Sequence, residues 1–242
     1  MSENDGIAKV FEGYLRFTEE VYPEHRKLFD QLKNQQNPQV LFITCADSRI
    51  DPTLITHTDP GDLFVSRNIG NIVPAYGEMM GGVSAVVEYA VMALSVKDII
   101  VCGHTDCGAM KALRDPDAPS LAAMPTVKSW LRNAHAALSV ARAKQPQAKG
   151  EELTHLLVEE NVLLQLQHLR THPSVAAGLA AGRLRLYGCV YNIGNGEMDV
   201  FDEAAQRFVP IQSVLAAAAN ADPGNLAEHP GVPPPLQPAK AG

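Results

Sequence analysis

Three short apolar segments constrain the fold more than any other feature of the sequence. Each is rich in β-branched residues and is bounded by Gly, Pro or Asp: residues 39–44, 62–67 and 98–103. Such segments are typical of strands that are buried on both faces of a parallel sheet. The Ala-rich segment 81–94 lies between the last two and is long enough for a helix, so strands and helices alternate. This alternation predicts the α/β fold class, with a mainly parallel sheet flanked by helices.

The second half of the chain adds to this sheet and to its helices. Residues 184–202 predict a fourth strand, a turn and a short fifth strand. We therefore expect a mainly parallel four-stranded sheet with a possible antiparallel edge strand. Residues 126–144 and 151–170 predict two helices, the second with an apolar stripe of Leu and Val.

The two ends of the chain differ from this pattern. Residues 1–35 show no strand signal and predict an N-terminal helical arm. Its apolar stripe within residues 7–17 suits packing on the surface or against a partner subunit. Residues 221–242 hold six of the seventeen prolines and predict a Pro-rich disordered tail. We therefore predict a single folded domain, residues 1–220, followed by this tail.

Composition and charge exclude several classes of function. The 242 residues are 46% hydrophobic and 19% charged, which is typical of a globular protein. No apolar run approaches the roughly 20 residues that a membrane-spanning helix needs. The net charge of −7 and the scattered basic residues argue against a nucleic-acid partner. The acidic N-terminal segment lacks the features of a signal peptide, so we expect a cytoplasmic protein whose four cysteines do not form structural disulfides.

Cysteine and histidine occur where predicted strands end. Cys45 follows the first predicted strand, and His104 and Cys107 lie in the turn after the third. The two-residue gap in that turn lets both side chains reach one ion, and ligands collect beyond the carboxyl ends of parallel strands. Two thiolates and one imidazole are a good ligand set for zinc, and three protein ligands leave one tetrahedral position open. The sequence therefore predicts a catalytic zinc site.

The other cysteines and histidines have simpler interpretations. An isolated H-x-x-C turn also occurs by chance, and Cys is often a small buried apolar residue. Cys102 and Cys189 lie within apolar strands, where packing explains them, although Cys102 as a fourth ligand would make the site structural. The remaining histidines fall on polar helix faces or in loops, where we expect them to be solvated: His25, His57, His135, His155, His168, His172 and His229.

A carboxylate and a guanidinium follow Cys45 at two-residue spacing. Asp47 could accept a hydrogen bond from a zinc-bound water, or it could bind zinc itself and close the site. Arg49 can hold Asp47 in a bidentate pair, which keeps the carboxylate ionised and away from zinc. The alternative is a surface ion pair worth at most about 1 kcal/mol, and it does not explain why the pair follows Cys45.

The motifs CADSR (45–49) and HTDC (104–107), about sixty residues apart, resemble those of the β-class carbonic anhydrases. The resemblance runs from about residue 5 to residue 212 and is closest to bacterial and cyanobacterial members of the plant-like subtype. It implies reversible hydration of carbon dioxide to bicarbonate and a proton by zinc-bound hydroxide. One zinc ion per subunit would be held by Cys45, His104 and Cys107. Asp47 and Arg49 would form a dyad that gates the fourth ligand position.

The resemblance also implies a substrate pocket and a partner subunit. Gln36, Phe64 and Tyr89 match family positions that line the pocket, often from the neighbouring subunit. A solvated loop residue is the alternative for the first, and core packing for the other two. Gly108 follows Cys107 as in the family, so its backbone is expected near the metal. In the family the N-terminal arm wraps a second subunit, which implies a homo-oligomer, a dimer or larger.

One regulatory site of the family is not expected here. A second subtype holds inhibitory bicarbonate in a pocket built from a Trp, an Arg and a Tyr. Arg67 and Tyr191 match the last two, but Phe42 stands at the Trp position and lacks the indole donor. Cys189 is a further departure, because close relatives tend to carry Trp there.

Other functions remain open from the sequence. A zinc-stabilised binding protein would keep Asp47 as a permanent fourth ligand and would not turn over carbon dioxide. A thiol-redox protein would usually carry C-x-x-C, which the chain lacks. Some relatives also hydrolyse carbon disulfide or carbonyl sulfide, and the sequence does not distinguish these substrates.

Overall fold

In the computed structural model, residues 6–78 and 81–220 are described, so the predicted tail at 221–242 lies outside the described residues. The chain divides into two units, residues 1–37 and residues 38–242. The first unit is helical and the second carries the sheet. Within the described part of the chain, no helix combines the length and the apolar character needed to cross a bilayer.

The first unit contains two helices, α1 (Gly6–Arg16) and α2 (Tyr22–Leu32). They are joined by a π-helical turn at Phe17–Val21. Pro23 lies in the first turn of α2, a position where proline is common. The apolar side chains of α1 are mostly exposed: Ile7, Val10, Phe11, Tyr14 and Leu15.

Six strands form one sheet in the second unit. They are β1 (Val40–Cys45), β2 (Leu63–Asn68), β3 (Asp98–His104), β4 (Arg185–Tyr191), β5 (Met198–Asp202) and β6 (Arg207–Pro210). Their order is β2-β1-β3-β4-β5-β6, with the first four parallel and the last two antiparallel. The predicted four parallel strands are confirmed, but the antiparallel edge has two strands rather than one. The sequence does not reveal β6, because its four residues are few and end in Pro.

The helices of the second unit flank this sheet. They are α3 (Pro52–Thr56), α4 (Gly82–Met92), α5 (Gly108–Arg114), α6 (Pro119–Ala122), α7 (Pro125–Leu131), α8 (His135–Lys144), α9 (Gly150–Thr171), α10 (Pro173–Ala180) and α11 (Ile211–Asn220). The helix predicted at 151–170 corresponds to α9. The helix predicted at 126–144 is instead divided into α7 and α8 by a 3-10 turn at Arg132–Ala134.

The main core lies between the sheet and α9. Alternate residues of the strands, such as Leu41, Ile43 and Val101, belong to this core together with the apolar face of α9. At Gly103 a Cβ atom would lie 2.9 Å from Val162 Cγ2, so only glycine lets α9 lie so close to the end of β3. The close packing of α9 fixes the end of the strand that carries His104.

A second, smaller core lies on the other face of the sheet and contains the strand residues that alternate with those of the main core. It consists of Phe42, Cys102, Cys189, Val200 and Val209, with α11 residues packed against it. Side chains alternate between the two faces of a strand, so Phe42 points away from the face that holds Leu41 and Ile43. Cys102 and Cys189 therefore belong to a different layer from the main core.

Candidate metal centre

Two neighbouring parallel strands carry the predicted metal ligands. Cys45 is the last residue of β1 and His104 is the last residue of β3. Since β1 and β3 pair in parallel, their carboxyl ends meet at one edge of the sheet. Cys107 follows a tight turn after β3 and immediately precedes α5. The topology therefore brings all three residues to one place.

The three side chains are close enough to hold a single ion. The sulfur atoms of Cys45 and Cys107 and a ring nitrogen of His104 all lie within 4.8 Å of one another, and the three residues are buried. Two sulfurs bound to one zinc ion would be roughly 3.8 Å apart, so the spacing fits one ion. Among the described residues, this is the one cluster of three such side chains that could hold a metal.

The orientation of His104 also fits a metal ligand. Its Nδ1 lies 2.8 Å from the carbonyl oxygen of Thr105, which makes Nδ1 the protonated nitrogen. Its Nε2 is buried and makes no hydrogen bond of normal geometry to any described residue. A buried ring nitrogen without a partner is costly unless something else occupies its lone pair. A divalent cation between Nε2 and the two sulfurs would satisfy it.

Backbone N–H groups surround both sulfur atoms. Gly70 N donates to Cys45 Sγ at 3.4 Å, and the Gly70 carbonyl accepts from the buried Asn161 side chain at 3.0 Å. The thiol of Cys107 hydrogen-bonds to Cys45 and lowers the pKa of Cys45 below its usual value. The hydrogen bond with Cys45, burial and the negative charge on Cys45 raise the pKa of Cys107 in turn. The pair thus readily gives up one proton, and a cation would favour loss of the second.

Asp47 and Arg49 form a close ion pair beside this cluster. Arg49 donates from Nε to Asp47 Oδ1 at 2.9 Å and from Nη2 to Oδ2 at 2.8 Å, and its backbone N donates to Oδ1 at 3.0 Å. These hydrogen bonds hold the pKa of the Asp47 carboxyl well below its usual range. Asp47 Oδ2 also lies 3.9 Å from His104 Nε2. A carboxylate that stays ionised therefore lies next to the ligand cluster.

Arg67 has a structural position that the sequence does not indicate. It lies on β2, and its guanidinium donates to the backbone oxygens of Cys45 at 3.1 Å and Asp47 at 2.7 Å. These contacts hold the chain between the metal ligand and the carboxylate. They also occupy Nε and Nη2 of Arg67.

The predicted pocket residues lie in different elements. Phe64 on β2 and Tyr89 on α4 are in contact, with ring centroids 5.9 Å apart, and Tyr89 is half exposed. Gly108 is the first residue of α5. Gln36 is exposed and belongs to the first unit, residues 1–37. Their role in a substrate pocket stays a prediction.

The structure supports core packing for the other two cysteines and corrects the expectation that all the other histidines are solvated. Cys102 and Cys189 are register partners on β3 and β4 and pack in the smaller core, so packing accounts for both. His172 is not solvated as expected: it is buried, and its Nε2 lies 3.0 Å from the Pro74 carbonyl. The ring of His168 likewise lies 2.7 Å from the Val73 carbonyl. Both side chains hold the loop after β2 against the end of α9. The sequence around the two histidines does not indicate these contacts.

Comparison with known proteins places this geometry in a family. The family model described as carbonic anhydrase matches residues 40–198. A carbonic anhydrase of Pseudomonas aeruginosa is 47% identical over 92% of this chain and 93% of the relative. The chain belongs to the β-carbonic anhydrase family. Reversible hydration of carbon dioxide is the activity general to this family, and carbonic anhydrase is the enzyme class of this chain.

Solved β-carbonic anhydrases share the fold. The structure of the β-carbonic anhydrase CcaA superposes with a TM-score of 0.82 at 43% identity, covering 84% of this chain and 98% of CcaA. A structure among those described as two tetrameric β-carbonic anhydrases from Sordaria macrospora gives a TM-score of 0.70 at 26% identity. It covers 81% of this chain and 97% of that one. The resemblance inferred from CADSR and HTDC is therefore confirmed at the level of the family.

Proposed function

We propose that this carbonic anhydrase is a zinc enzyme in which Cys45, His104 and Cys107 hold the ion. The observation that carries the proposal is the convergence of three buried ligand atoms within 4.8 Å, with an unpartnered His104 Nε2 among them. Two sulfurs and one imidazole suit zinc better than magnesium or calcium, which prefer oxygen ligands. Three protein ligands leave one tetrahedral position for chemistry.

Zinc at this position would supply Lewis acidity, which lowers the pKa of water and so provides a nucleophile for carbon dioxide. Two thiolate ligands donate more charge than imidazoles would, so we expect activity to rise toward alkaline pH. The side chain of Asp47 would accept a hydrogen bond from that nucleophile and orient its lone pair toward the substrate. Arg49 has two tasks in this proposal. It keeps Asp47 ionised, and it holds the carboxylate so that it does not become the fourth ligand.

The substrate pocket is proposed to include Phe64, Tyr89, the backbone of Gly108 and, from a second subunit, Gln36. Carbon dioxide is small and apolar, so aromatic side chains suit its binding. The contact between Phe64 and Tyr89 and the half-exposed ring of Tyr89 support a shared apolar surface. We also propose a homo-oligomer. The Sordaria macrospora relatives are described as tetrameric.

The first experiment measures metal content and turnover together. We expect one zinc per chain by elemental analysis and carbon dioxide hydration by stopped flow. Arg49→Ala should retain zinc but lower turnover about 10- to 100-fold, because removing a group that orients a metal site typically has this effect. Arg132→Ala is the matched control, since Arg132 is an exposed arginine that donates to Ser129. Purified protein without zinc, or full turnover in Arg49→Ala, would contradict the proposal.

A further inference from the structure

Arg49 has a second set of partners beyond Asp47. One edge of its guanidinium, Nε and Nη2, holds both carboxylate oxygens of Asp47. At the other edge, Nη1 donates to Asp106 Oδ2 at 2.8 Å and Nη2 donates to the Asp106 carbonyl at 3.3 Å. Arg49 thus bridges two carboxylates, and both edges of the planar group are fixed.

Asp106 belongs to the turn that carries two of the metal ligands. It lies between His104 and Cys107 and has a left-handed φ of 60°, which Asp and Asn tolerate better than most residues with a side chain. Its carboxylate also pairs with Lys111 on α5. Side chains of alternating charge therefore run outward from the metal centre in the order Asp47, Arg49, Asp106 and Lys111.

We propose that Asp106 is a positioning residue for the dyad: it ties Arg49 to the His104–Cys107 turn and so keeps Asp47 away from the fourth position of the metal. This inference rests on the proposed function, and it names the residue that holds the Asp47–Arg49 pair in place. Asp106 acts through Arg49 rather than on the substrate. The spacing within CADSR or within HTDC does not indicate this contact, because it joins two residues, Arg49 and Asp106, that are 57 positions apart in different motifs.

The physical reason is that an arginine held only by Asp47 would move with it. The side chain of Arg49 has several rotatable bonds and is 43% exposed, so a single partner leaves the pair free to shift as one body. With Asp106 in place, Asp47 can approach the metal only by breaking its own hydrogen bonds to Arg49. Without Asp106, a larger fraction of molecules would have Asp47 at the fourth position.

The fraction of molecules with Asp47 at the fourth position, here called the closed fraction, can be measured. A ligand that binds the fourth position competes with Asp47, so its apparent affinity falls in proportion to the open fraction. Turnover requires the same open position, so kcat/KM falls by the same factor. A loss of folding or of metal would instead change zinc content or the thermal unfolding midpoint. Equal losses in binding and turnover, at constant metal content, therefore identify a positioning role.

The experiment compares Asp106→Ala and Asp106→Asn with Asp117→Ala in the full-length protein. Asp117 is 95% exposed, so this control removes the same charge from a surface position outside the site. Carbon dioxide hydration is measured on the zinc form, and azide binding is measured on the Co(II)-substituted form by its visible spectrum. We expect Asp106→Ala to lower both values about fivefold, the scale of an exposed charged pair. Asp106→Asn keeps the turn and a weaker hydrogen bond, so both should fall about twofold, and Asp117→Ala should lower neither.

Two results would overturn the proposal. One is an azide affinity in Asp106→Ala equal to that of the parent protein, whatever its turnover. The other is a loss of turnover that is matched by a loss of zinc in both Asp106 variants, which would indicate a structural role. Failure of the proposed function is a separate result: the parent protein itself would then lack stoichiometric zinc or would not hydrate carbon dioxide.

Discussion

Cys45 and Cys107 lie at or just beyond the carboxyl ends of β1 and β3, whereas Cys102 and Cys189 lie within β3 and β4, and all four are buried. Burial alone therefore does not distinguish a metal ligand from a core residue. The difference is in the neighbours: the first pair contact backbone N–H groups, a ring nitrogen and each other. The second pair pack among apolar residues such as Phe42 and Val200.

The pKa values follow these surroundings. Burial raises the pKa of Cys189 to about 12 and raises the pKa of Cys102 well above its usual value, so both remain neutral thiols. The hydrogen bond from Cys107 lowers the pKa of Cys45 despite burial. The comparison teaches that a strand end supplies the polar contacts a thiolate needs, while the middle of the same strand excludes them.

The strongest way to break this comparison is to remove one sulfur from each pair. Cys107→Ser should lose most of its zinc and lower turnover at least about 100-fold, because a ligand matters more than the groups that orient it. Cys102→Ala, the matched control, should keep one zinc per chain and full turnover. Elemental analysis and stopped-flow hydration assays measure both. Stoichiometric zinc in Cys107→Ser would show that this sulfur is not a ligand.

Thiol modification sharpens the same comparison without mutation. In the zinc-loaded protein, iodoacetamide should modify none of the four cysteines quickly, because two are bound to metal and two are in the core. After chelation at neutral pH, Cys45 should react at least about tenfold faster than Cys102 and Cys189, since only thiolates are good nucleophiles and only the pKa of Cys45 is lowered. Peptide mass spectrometry resolves the modified sites. Equal rates for Cys45, Cys102 and Cys189 would contradict the distinction drawn here.

The parts that sequence predicted are those with a local pattern. The four parallel strands follow from continuous β-branched segments, and the Cys45, His104 and Cys107 cluster follows from ligand types at strand ends. The pairing of Asp47 with Arg49 also follows, because two-residue spacing is within the reach of both side chains.

The parts that sequence missed depend on contacts between distant segments. Asp106 lies in a motif that the sequence singled out, yet its partner Arg49 is 57 residues away. Gly70 approaches Cys45 only because the loop after β2 folds back, held by Asn161 from α9. His172 shows no local sign of burial, because its partner is a backbone carbonyl 98 residues away. The cytoplasmic location and the nature of residues 221–242 stay predictions.

A third prediction changes the surroundings of Cys45 and leaves every cysteine in place. Gly70 has a φ of 78°, and a Cβ atom there would lie 3.0 Å from Ala109 Cβ and 3.1 Å from Met110 Cε. Gly70→Ala should therefore lower the free energy of unfolding by about 2–3 kcal/mol, through backbone strain and crowding. It should also weaken zinc retention in a chelator competition, because the N–H that donates to Cys45 must shift.

Gly77→Ala is the control for this change. Gly77 has a similar left-handed φ of 93° but nothing within 4 Å of its Cβ position, so it pays the strain of the backbone alone. Denaturant unfolding should show a smaller loss for Gly77→Ala than for Gly70→Ala, with zinc retention unchanged. If the two variants lost the same free energy of unfolding and retained zinc equally well, the contacts of Gly70 would have no influence on the metal centre.

The smallest expected effect is at Cys189, and it tests the apolar half of the comparison. Cys189→Ala removes one sulfur from the smaller core and should lower the free energy of unfolding by about 1 kcal/mol. Cys189→Ser has nearly the size of Cys but buries a hydroxyl among apolar side chains, so it should cost about 1 kcal/mol more than Cys189→Ala. Both variants should keep full zinc content, and denaturant unfolding with elemental analysis measures the pair. If Ser proved as well tolerated as Cys, the environment of Cys189 would be polar, and the contrast with Cys45 would lose its physical basis.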